Sequence, residues 1–399
     1  MDSVFNNFNV NKNNYWFETA LLSLLVTSMI ISDWLIGPFA VSELVMGGLL
    51  ALTLLVDPTL LKKLKLRWLG FISLYMLFHI GVNYFINTPF NLRLGVYSYI
   101  KVVFFFVFVS IMYEYIKRNR MEAKVLRGLN IGAIIAIIIG VYITLSIATD
   151  FEWPYEFFWR FTRTSSFTYE FKGNSDIIRT RSLFSEPAHL GYFLNSVLGI
   201  NFFGKLKDKY SMYFQFSLII GILLTLSYAS IGVMVILIIT KLVQVIKENK
   251  DNKLLQNKTA LLILVVSTLL IVFIFRDFLY TTIIERTIGI IEGTDNSAYN
   301  RLISSWTYIS RDYILFGNGI AHSPPIQNVY AYFLTDLGMI GFVSILFATY
   351  KLLMLNFGLG FLFILLNFQK GGYLSPIFSL LILIIIVFAN YKESKALNN

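Results

Sequence analysis

Eight of the thirteen arginines in this sequence fall within two stretches, 150–185 and 276–326, which together contain one lysine. They are Arg160, Arg163, Arg179, Arg181, Arg276, Arg286, Arg301 and Arg311. A guanidinium group is a planar, permanently charged fork that binds phosphate or carboxylate through two parallel hydrogen bonds, whereas the ammonium of lysine is a mobile point charge. Acidic residues in the same stretches nearly balance these arginines, but ion pairing alone would also have used lysine. The preference for arginine therefore predicts an anionic ligand.

The residue types give little support to metal or cofactor chemistry. The chain has no cysteine and only three histidines, His79, His189 and His322, which are far apart in the sequence. No H-E-x-x-H, D-x-D, Walker or dinucleotide-binding pattern is present. Thiolate sites, iron–sulfur clusters and a cysteine nucleophile are excluded. We predict a reaction that uses no metal and no cofactor.

The elements that must position these arginines are membrane-spanning helices. Hydrophobic residues make up 56% of the 399 residues and charged residues 14%, with a mean hydropathy of +0.67. A soluble domain usually has about 25% charged residues, so we predict an all-α integral membrane protein. One crossing needs roughly 20 apolar residues, and we count about twelve crossings, with about ten as the lower bound. They are 17–32, 36–56, 68–86, 94–116, 128–149, 186–203, 211–228, 230–246, 259–275, 327–350, 352–368 and 374–391.

Positive charge orients this bundle, because the cytoplasmic connections of membrane proteins are enriched in lysine and arginine. Basic residues cluster in alternate connections, at 62–67, 117–127, 205–209 and 247–258. We therefore predict that these connections and both termini are cytoplasmic. The net charge of +10 then anchors the protein to anionic lipid and is not a nucleic-acid footprint. The whole chain, 1–399, is predicted to form one polytopic domain with long outer loops at 150–185 and 276–326.

Charged residues inside membrane-spanning segments are rare, and each one suggests a functional role or a partner of opposite charge. Glu43 and Lys101 are predicted to form an ion pair between two helices, and Asp336 is predicted to support the outer site.

The spacing of apolar residues over 298–313, in the second long loop, predicts an amphipathic helix that lies on the bilayer surface.

The first outer loop is rich in aromatic residues, with nine of them between positions 153 and 171. Aromatic side chains commonly form a belt at the membrane interface. Flat rings also stack on the faces of sugars, so a platform for carbohydrate is the alternative interpretation. The sequence leaves both open.

The segment 179–194 reads RTRSLFSEPAHLGYFL, in which an arginine pair precedes Ser185, Glu186 and Pro187 at the start of a predicted crossing. This segment resembles the signature of bacterial O-antigen and exopolysaccharide polymerases of the Wzy type. Those polymerases share a superfamily with the O-antigen ligases. The resemblance covers roughly residues 175–345 together with the layout of the crossings.

Two further segments carry the resemblance. The segment 224–235, LTLSYASIGVMV, is similar to a tight hairpin of the family, although Tyr228 stands where an arginine is common. The segment 300–341 has the family's order of an arginine helix, a glycine-rich stretch and a further crossing. Asp336 stands in that crossing where the family usually has glutamate.

The resemblance implies a glycosyltransferase with a GT-C-like bundle in the plasma (inner) membrane of a bacterium. Such an enzyme transfers a growing glycan from undecaprenyl pyrophosphate to the next lipid-linked oligosaccharide repeat unit on the outer, periplasmic or extracellular, face. Its product would be O-antigen of lipopolysaccharide, capsule or exopolysaccharide, and its implied protein partners are a flippase and a chain-length regulator. Two alternatives stay open. One is a ligase that moves the glycan to a lipid A core or another acceptor, and the other is a lipid-linked oligosaccharide flippase.

The resemblance also implies roles for individual residues. Pyrophosphate leaves readily once its charge is neutralised, which arginines can do without a metal. The implied pyrophosphate-binding residues are Arg179, Arg181, Arg276, Arg286, Arg301 and Arg311. The acceptor hydroxyl needs a base, for which Glu186 and His322 are the catalytic candidates. His189, Asn328 and Asp336 are predicted to support them.

Overall fold

The computed structural model describes residues 2–149, 153–162, 169–171, 174–206, 208–248, 280, 284, 286–292, 294, 299–310 and 312–391. Most of these residues are helical. The helices are α1 (Asp2–Ile30), α2 (Val41–Val56), α3 (Leu66–Ile86), α4 (Leu92–Arg118), α5 (Glu122–Ala148), α6 (Pro187–Phe203), α7 (Ser211–Leu224), α8 (Tyr228–Glu248), α9 (Arg286–Ile291), α10 (Ser305–Thr307), α11 (Val329–Leu355), α12 (Phe357–Gln369) and α13 (Pro376–Ala389). A π-helical turn, Asn300–Ser304, precedes α10.

Eleven of the twelve predicted crossings coincide with described helices, α1 to α8 and α11 to α13, and the other one, 259–275, lies outside the described residues. Three of these helices, α4, α11 and α12, have an asparagine as N-cap. The side chains of Asn91, Asn328 and Asn356 accept hydrogen bonds from backbone N–H groups of the first turn. Five helices, α3, α4, α5, α8 and α11, are long and apolar enough to cross a membrane by length and composition. The protein is thus a helical membrane protein, and the number of its crossings stays a prediction.

The described helices run between two ends of the bundle. At the end that we call the basic end, Arg118 pairs with Asp57 at 2.7 Å, and the side chain of Asn356 donates to the carbonyl of Phe203 at 3.0 Å. The connections at this end carry the clustered lysines and arginines. At the other end, which we call the site end, the connections that follow α1, α3, α7 and α12 meet the two long loops.

Helix α6 is the most enclosed part of the bundle, since fourteen of its seventeen residues are buried. It packs against α5, α7, α8 and α12. Gly191 permits the contact with α8, because a Cβ at this position would overlap the side chain of Ser230. The close packing of α6 therefore holds the end of the loop that leads into it in one position.

Two short hairpins lie at the site end and were not predicted. Strands β1 (Leu35–Ile36) and β2 (Phe39–Ala40) pair antiparallel directly before α2. Strands β3 (Glu170–Phe171) and β4 (Asn174–Ile178) pair antiparallel within the first long loop. The N–H of Leu35 also donates to the carbonyl of Phe161 at 2.7 Å, so the loop lies on the connection that follows α1.

The predicted amphipathic helix over 298–313 is shorter than expected. Within the described residues it covers Asn300–Ser304 and α10 and ends at Thr307. The chain then turns, because it has to reach the side of α11, where the N–H of Met339 donates to the carbonyl of Ile314 at 2.9 Å. The prediction overestimated the helix because apolar spacing does not reveal this docking.

The predicted ion pair between helices is confirmed. Lys101 Nζ on α4 lies 2.6 Å from Glu43 Oε1 on α2, and both side chains are largely enclosed. A charge that is buried in apolar surroundings needs a partner of opposite sign, so the pair joins these two helices.

Candidate active site

The start of α6 positions the functional side chains of the first long loop. Pro187 occupies the first helical turn, where its missing N–H costs no hydrogen bond. Glu186 precedes it in an extended conformation, and the Glu186 side chain is exposed and does not cap the helix. The dipole of α6 favours a negative charge at this place. Glu186, one of the two predicted catalytic candidates, thus presents an open carboxylate at the mouth of α6.

The carboxylate of Asp33, just after α1, gathers three side chains around this helix start. Asp33 Oδ2 lies 2.6 Å from Nδ1 of His189 and accepts hydrogen bonds from the hydroxyl of Ser185 at 2.8 Å and from its N–H at 3.2 Å. Asp33 Oδ1 accepts from Nζ of Lys370 at 3.3 Å. Asp33 is 6% exposed, so one buried carboxylate joins three distant segments of the chain.

Opposite charges balance within this cluster. Burial acts to raise the pKa of Asp33, but His189 and Lys370 outweigh burial and hold the pKa of that carboxyl well below its ordinary value. The ionised Asp33 accepts the proton on Nδ1 of His189, which leaves Nε2 as the basic nitrogen of the neutral ring. Within the described part of the chain no hydrogen bond to Nε2 forms, and the His189 side chain is 22% exposed.

Arg181 is held beside the Asp33 cluster by an aromatic ring. Its guanidinium carbon lies 3.5 Å from the centroid of Trp159, and Nη1 donates to the carbonyl of Ser185 at 2.9 Å. Burial lowers the pKa of Arg181 to about 10, with Tyr169 acting in the opposite direction, so Arg181 stays charged at neutral pH. Trp159 is buried and donates to the carbonyl of Ser182 at 2.8 Å. Trp159 therefore belongs neither to an interfacial belt nor to an open platform for sugars.

Arg179, the other arginine of the pair, directly follows β4 and is half-buried. Its Nε donates to the carbonyl of Thr225 at 3.4 Å, and its backbone N–H donates to the carbonyl of Tyr169 at 2.8 Å. Thr225 belongs to the connection between α7 and α8, which is the hairpin that the sequence resemblance pointed to. Both arginines of 179–194 therefore lie at the site end.

His322 is fixed by its own loop and by the start of α4. The N–H of Asn91 donates to Nε2 of His322 at 2.6 Å, and Nδ1 lies 2.7 Å from the carbonyl of Ile320. These two contacts assign the proton to Nδ1, because a carbonyl accepts and an N–H donates. Phe90 stacks on the ring with centroids 4.3 Å apart. Both ring nitrogens of His322 are thus bound to backbone groups.

Asp336 supports the loop that carries His322. Its Oδ2 accepts from the N–H of Ala321 at 2.9 Å and from the hydroxyl of Tyr373 at 2.9 Å, and its Oδ1 accepts from the N–H of Ser323 at 3.0 Å. Asp336 is fully buried. It therefore holds the backbone on both sides of His322 and does not contact the ring.

A kink in α11 admits this loop. Gly338 has a φ of +70° inside the helix, and a Cβ there would overlap the carbonyl of Leu315. Gly317 has a φ of +68°, and a Cβ there would overlap the backbone of Asp336. Because neither position tolerates a side chain, glycine is required at both for the loop to dock.

The connection between α12 and α13 joins the two clusters. Lys370 contacts Asp33, and Tyr373, three residues later, contacts Asp336. The Asp33 cluster and the Asp336 cluster are therefore neighbours at the site end. Glu186 and His189 lie with the first, and His322 lies with the second.

Asn328 places Arg301 beside the second cluster. The Asn328 side chain accepts from the N–H of Tyr330 at 2.9 Å and donates to the carbonyl of Arg301 at 3.5 Å. Arg301 is half-buried. A cavity of about 410 Å³ lies between α10, which follows Arg301 in the chain, and the helices α11 and α12. It is lined mainly by apolar side chains, among them Trp306, Phe342, Leu346, Tyr350, Leu353 and Ile364.

The other predicted arginines are described incompletely. Arg276 and Arg311 lie outside the described residues, and of Arg286 only the backbone, at the start of α9, is described. Their predicted contact with pyrophosphate stays a prediction. Arg160, in the same loop as Arg181, is exposed and stacks over the ring of Phe161.

Sequence reasoning missed Asp33, Lys370, Tyr373 and the support that Trp159 gives to Arg181. Two of these residues carried a detectable signal. Asp33 is an acidic residue at the end of an apolar helix, and Lys370 is an isolated charge in a short connection. Ionisable residues in such places are expected to have partners. Tyr373 had no such signal, because tyrosine is common in this sequence.

The described residues include no group of three or more histidine, aspartate or glutamate side chains that could hold a metal ion. Asp33 is engaged with His189, Lys370 and Ser185, and Asp336 with backbone N–H groups and a phenol. The positive groups that this site offers to an anion are guanidinium and ammonium groups.

Comparison with known proteins assigns the chain to a family of polymerases. No curated protein and no solved structure matches it. Residues 20–324, which make up more than half of the chain and include the segment 179–194 and His322, match the family model for colanic acid polymerase. This match confirms the resemblance to polymerases of the Wzy type. The chain therefore belongs to the WcaD colanic acid polymerase family.

Proposed function

We propose that the protein transfers a growing glycan from undecaprenyl pyrophosphate to the next lipid-linked repeat unit during synthesis of O-antigen, capsule or exopolysaccharide. Membership of the polymerase family makes it an enzyme of polysaccharide synthesis. The observation that carries the donor chemistry is Arg181, a buried and charged guanidinium held against Trp159 at the site end. Its rigid fork suits the pyrophosphate that develops charge as the glycosidic bond breaks.

The apolar cavity between α10, α11 and α12 supports a lipid-linked substrate. A polyprenyl chain needs an apolar surface, and α10, which follows Arg301 in the chain, contributes Trp306 to the lining of this cavity. The charge pattern supports the outer face of the plasma membrane, because the clustered lysines lie at the basic end and the site lies at the other.

The reaction requires no metal in this proposal, because arginine charges neutralise the leaving group. The acceptor hydroxyl attacks the anomeric carbon, the bond from that carbon to the pyrophosphate oxygen breaks, and the electron pair leaves with undecaprenyl pyrophosphate. Glu186 and His322 stay the predicted catalytic candidates. Their geometry differs, since Glu186 is open, whereas His322 can accept a proton at Nε2 only after the N–H of Asn91 is released.

Replacing Arg181 with lysine tests the pyrophosphate contact. Lysine keeps the charge and loses the fork, and a hydrogen bond to a charged group contributes about 1.5–3 kcal/mol. We expect polymerisation to slow roughly ten- to a hundredfold, because about 1.4 kcal/mol corresponds to a factor of ten. The assay supplies the purified chain with lipid-linked repeat units extracted from a deletion strain, in excess EDTA, and scores the glycan ladder.

Arg160→Lys is the matched control, since Arg160 lies in the same loop and is exposed. It should give a wild-type ladder. A wild-type ladder from Arg181→Lys would refute the pyrophosphate contact. A deletion strain that accumulates no lipid-linked repeat units on the outer leaflet would refute the polymerase. Accumulation on the inner leaflet would favour a flippase, and accumulation of a finished polymer on its carrier would favour a ligase.

A further inference from the structure

The ring of His189 has the arrangement of a general base, and this inference rests on the proposed function. Its Nδ1 lies 2.6 Å from the buried carboxylate of Asp33, which fixes the ring orientation and leaves the basic lone pair on Nε2. A base oriented by a second group through its other nitrogen is the usual geometry of an activating histidine. His322 has no such partner, because backbone groups occupy both of its ring nitrogens.

His189 also stands close to the proposed pyrophosphate-binding residue. The hydroxyl of Ser185 lies 3.0 Å from Nδ1 of His189, and the carbonyl of Ser185 accepts from Arg181. One residue therefore contacts both the guanidinium and the imidazole. A donor whose pyrophosphate is bound at Arg181 would have its anomeric carbon near the first turn of α6, where His189 is partly exposed.

We propose that His189 accepts the proton of the acceptor hydroxyl at Nε2, with Asp33 as its positioning residue. As the new bond between the acceptor oxygen and the anomeric carbon forms, the proton moves to Nε2, and undecaprenyl pyrophosphate leaves with the electron pair of the broken bond. The imidazolium that forms is stabilised by Asp33, and its proton is then lost to solvent. Glu186, one turn earlier, is left to bind the acceptor sugar, and His322 to hold its loop.

The charges around His189 come from several elements. Asp33 lies after α1, Lys370 lies after α12, and Glu186 lies in the connection that leads into α6. Arg181 donates to the carbonyl of Ser185, whose hydroxyl contacts His189. The ring of Tyr192 on α6 lies 6.0 Å from Nζ of Lys370. Asp33 favours the protonated imidazolium, while Lys370 and Arg181 oppose it.

Two isosteric variants separate catalysis from packing. The amide nitrogen of asparagine takes the place of Nδ1, so His189→Asn keeps a donor to Asp33 and loses Nε2. The second variant is His189→Gln, whose side-chain amide reaches the position of Nε2 and loses the contact with Asp33. A general base contributes roughly 10²- to 10⁴-fold to the rate. We expect His189→Asn to lose activity within that range while it folds and still shifts its thermal midpoint when lipid-linked repeat units are added.

The pH profile gives a readout that packing alone would not change. The wild-type rate should fall on the acid side as the base becomes protonated. The residual rate of His189→Asn should lack this acid limb, whereas Asp33→Asn should keep the limb with a lower maximum, because the ring is still present but is no longer oriented by the carboxylate. A His189→Asn enzyme with more than half of the wild-type rate and an unchanged acid limb would overturn the proposal and make the cluster structural.

The same assay distinguishes this inference from the proposed function. Failure of the wild-type chain to extend the extracted repeat units would refute the polymerase. An active wild type whose acid limb disappears in His322→Ala or Glu186→Gln, and persists in His189→Asn, would refute only the assignment of the base.

Discussion

The site end contains two buried aspartates, and the two have different partners and different tasks. Asp33 binds the ammonium of Lys370 and contacts the ring of His189 itself. Asp336 binds only neutral donors among the described residues and holds the backbone on either side of His322. The first arrangement orients a ring, whereas the second fixes the shape of a loop.

This difference has an energetic consequence. Removing one partner of a buried ion pair leaves the other charge uncompensated, whereas removing a carboxylate from neutral donors leaves only unsatisfied N–H and O–H groups. The two aspartates should therefore differ in how much stability they contribute and in which second substitution can restore it.

The largest effect is expected for Asp33→Ala, which leaves Lys370 enclosed without its carboxylate. Breaking a buried pair in this way costs about 3–5 kcal/mol. Denaturant unfolding in detergent should show that loss. The double variant Asp33→Ala with Lys370→Met should recover a large part of it, because no buried ammonium remains. If the double variant is less stable than Asp33→Ala, the ion-pair account of this cluster is wrong.

A smaller effect is expected for Asp336→Asn. The amide oxygen of asparagine can still accept from one backbone N–H, and its amide nitrogen then faces the other donors, which costs about 1–3 kcal/mol. The same unfolding measurement should show this loss, and adding Lys370→Met should not restore it, since Lys370 contacts Asp33. A loss as large as that of Asp33→Ala would remove the contrast between the two clusters.

The smallest effect concerns pH. The depressed pKa of Asp33 means that its contribution to stability is present above the ordinary value of an aspartate, about 3.9, and is lost as pH falls from there through the lower folded value. The difference in unfolding free energy between wild type and Asp33→Asn should stay constant from about pH 8 to about pH 5 and narrow below about pH 4. A difference that already narrows near neutrality would indicate that Asp33 is not held ionised by its partners.

The sequence predicted the local features of this molecule better than the distant ones. Apolar runs placed eleven described helices, because a span of lipid demands a continuous apolar segment. The pair of Glu43 and Lys101 was predicted because each is an isolated charge inside an apolar segment and the two charges are opposite. The segment 179–194 pointed to α6 and its loop, since arginines, Glu186 and Pro187 are close together in the chain.

The contacts that build the candidate site were not predictable in the same way. Asp33 and His189 are 156 residues apart, and spacing along one helix says nothing about such a pair. His322 was predicted as a candidate base because the ordinary pKa of an imidazole suits proton transfer near neutral pH. The structure places Asn91 on its Nε2, from a helix start that is 231 residues away. Tertiary packing decides which nitrogen of which histidine is open.

The bond between Asp33 and Lys370 has a consequence for how the protein is made. The two residues are 337 positions apart, and ribosomes add about 5–20 residues per second, so roughly 17–67 s pass between their synthesis. During that interval the carboxylate of Asp33 has no ammonium partner from this connection. The Asp33 cluster is therefore assembled late in translation, although its central residue is made early.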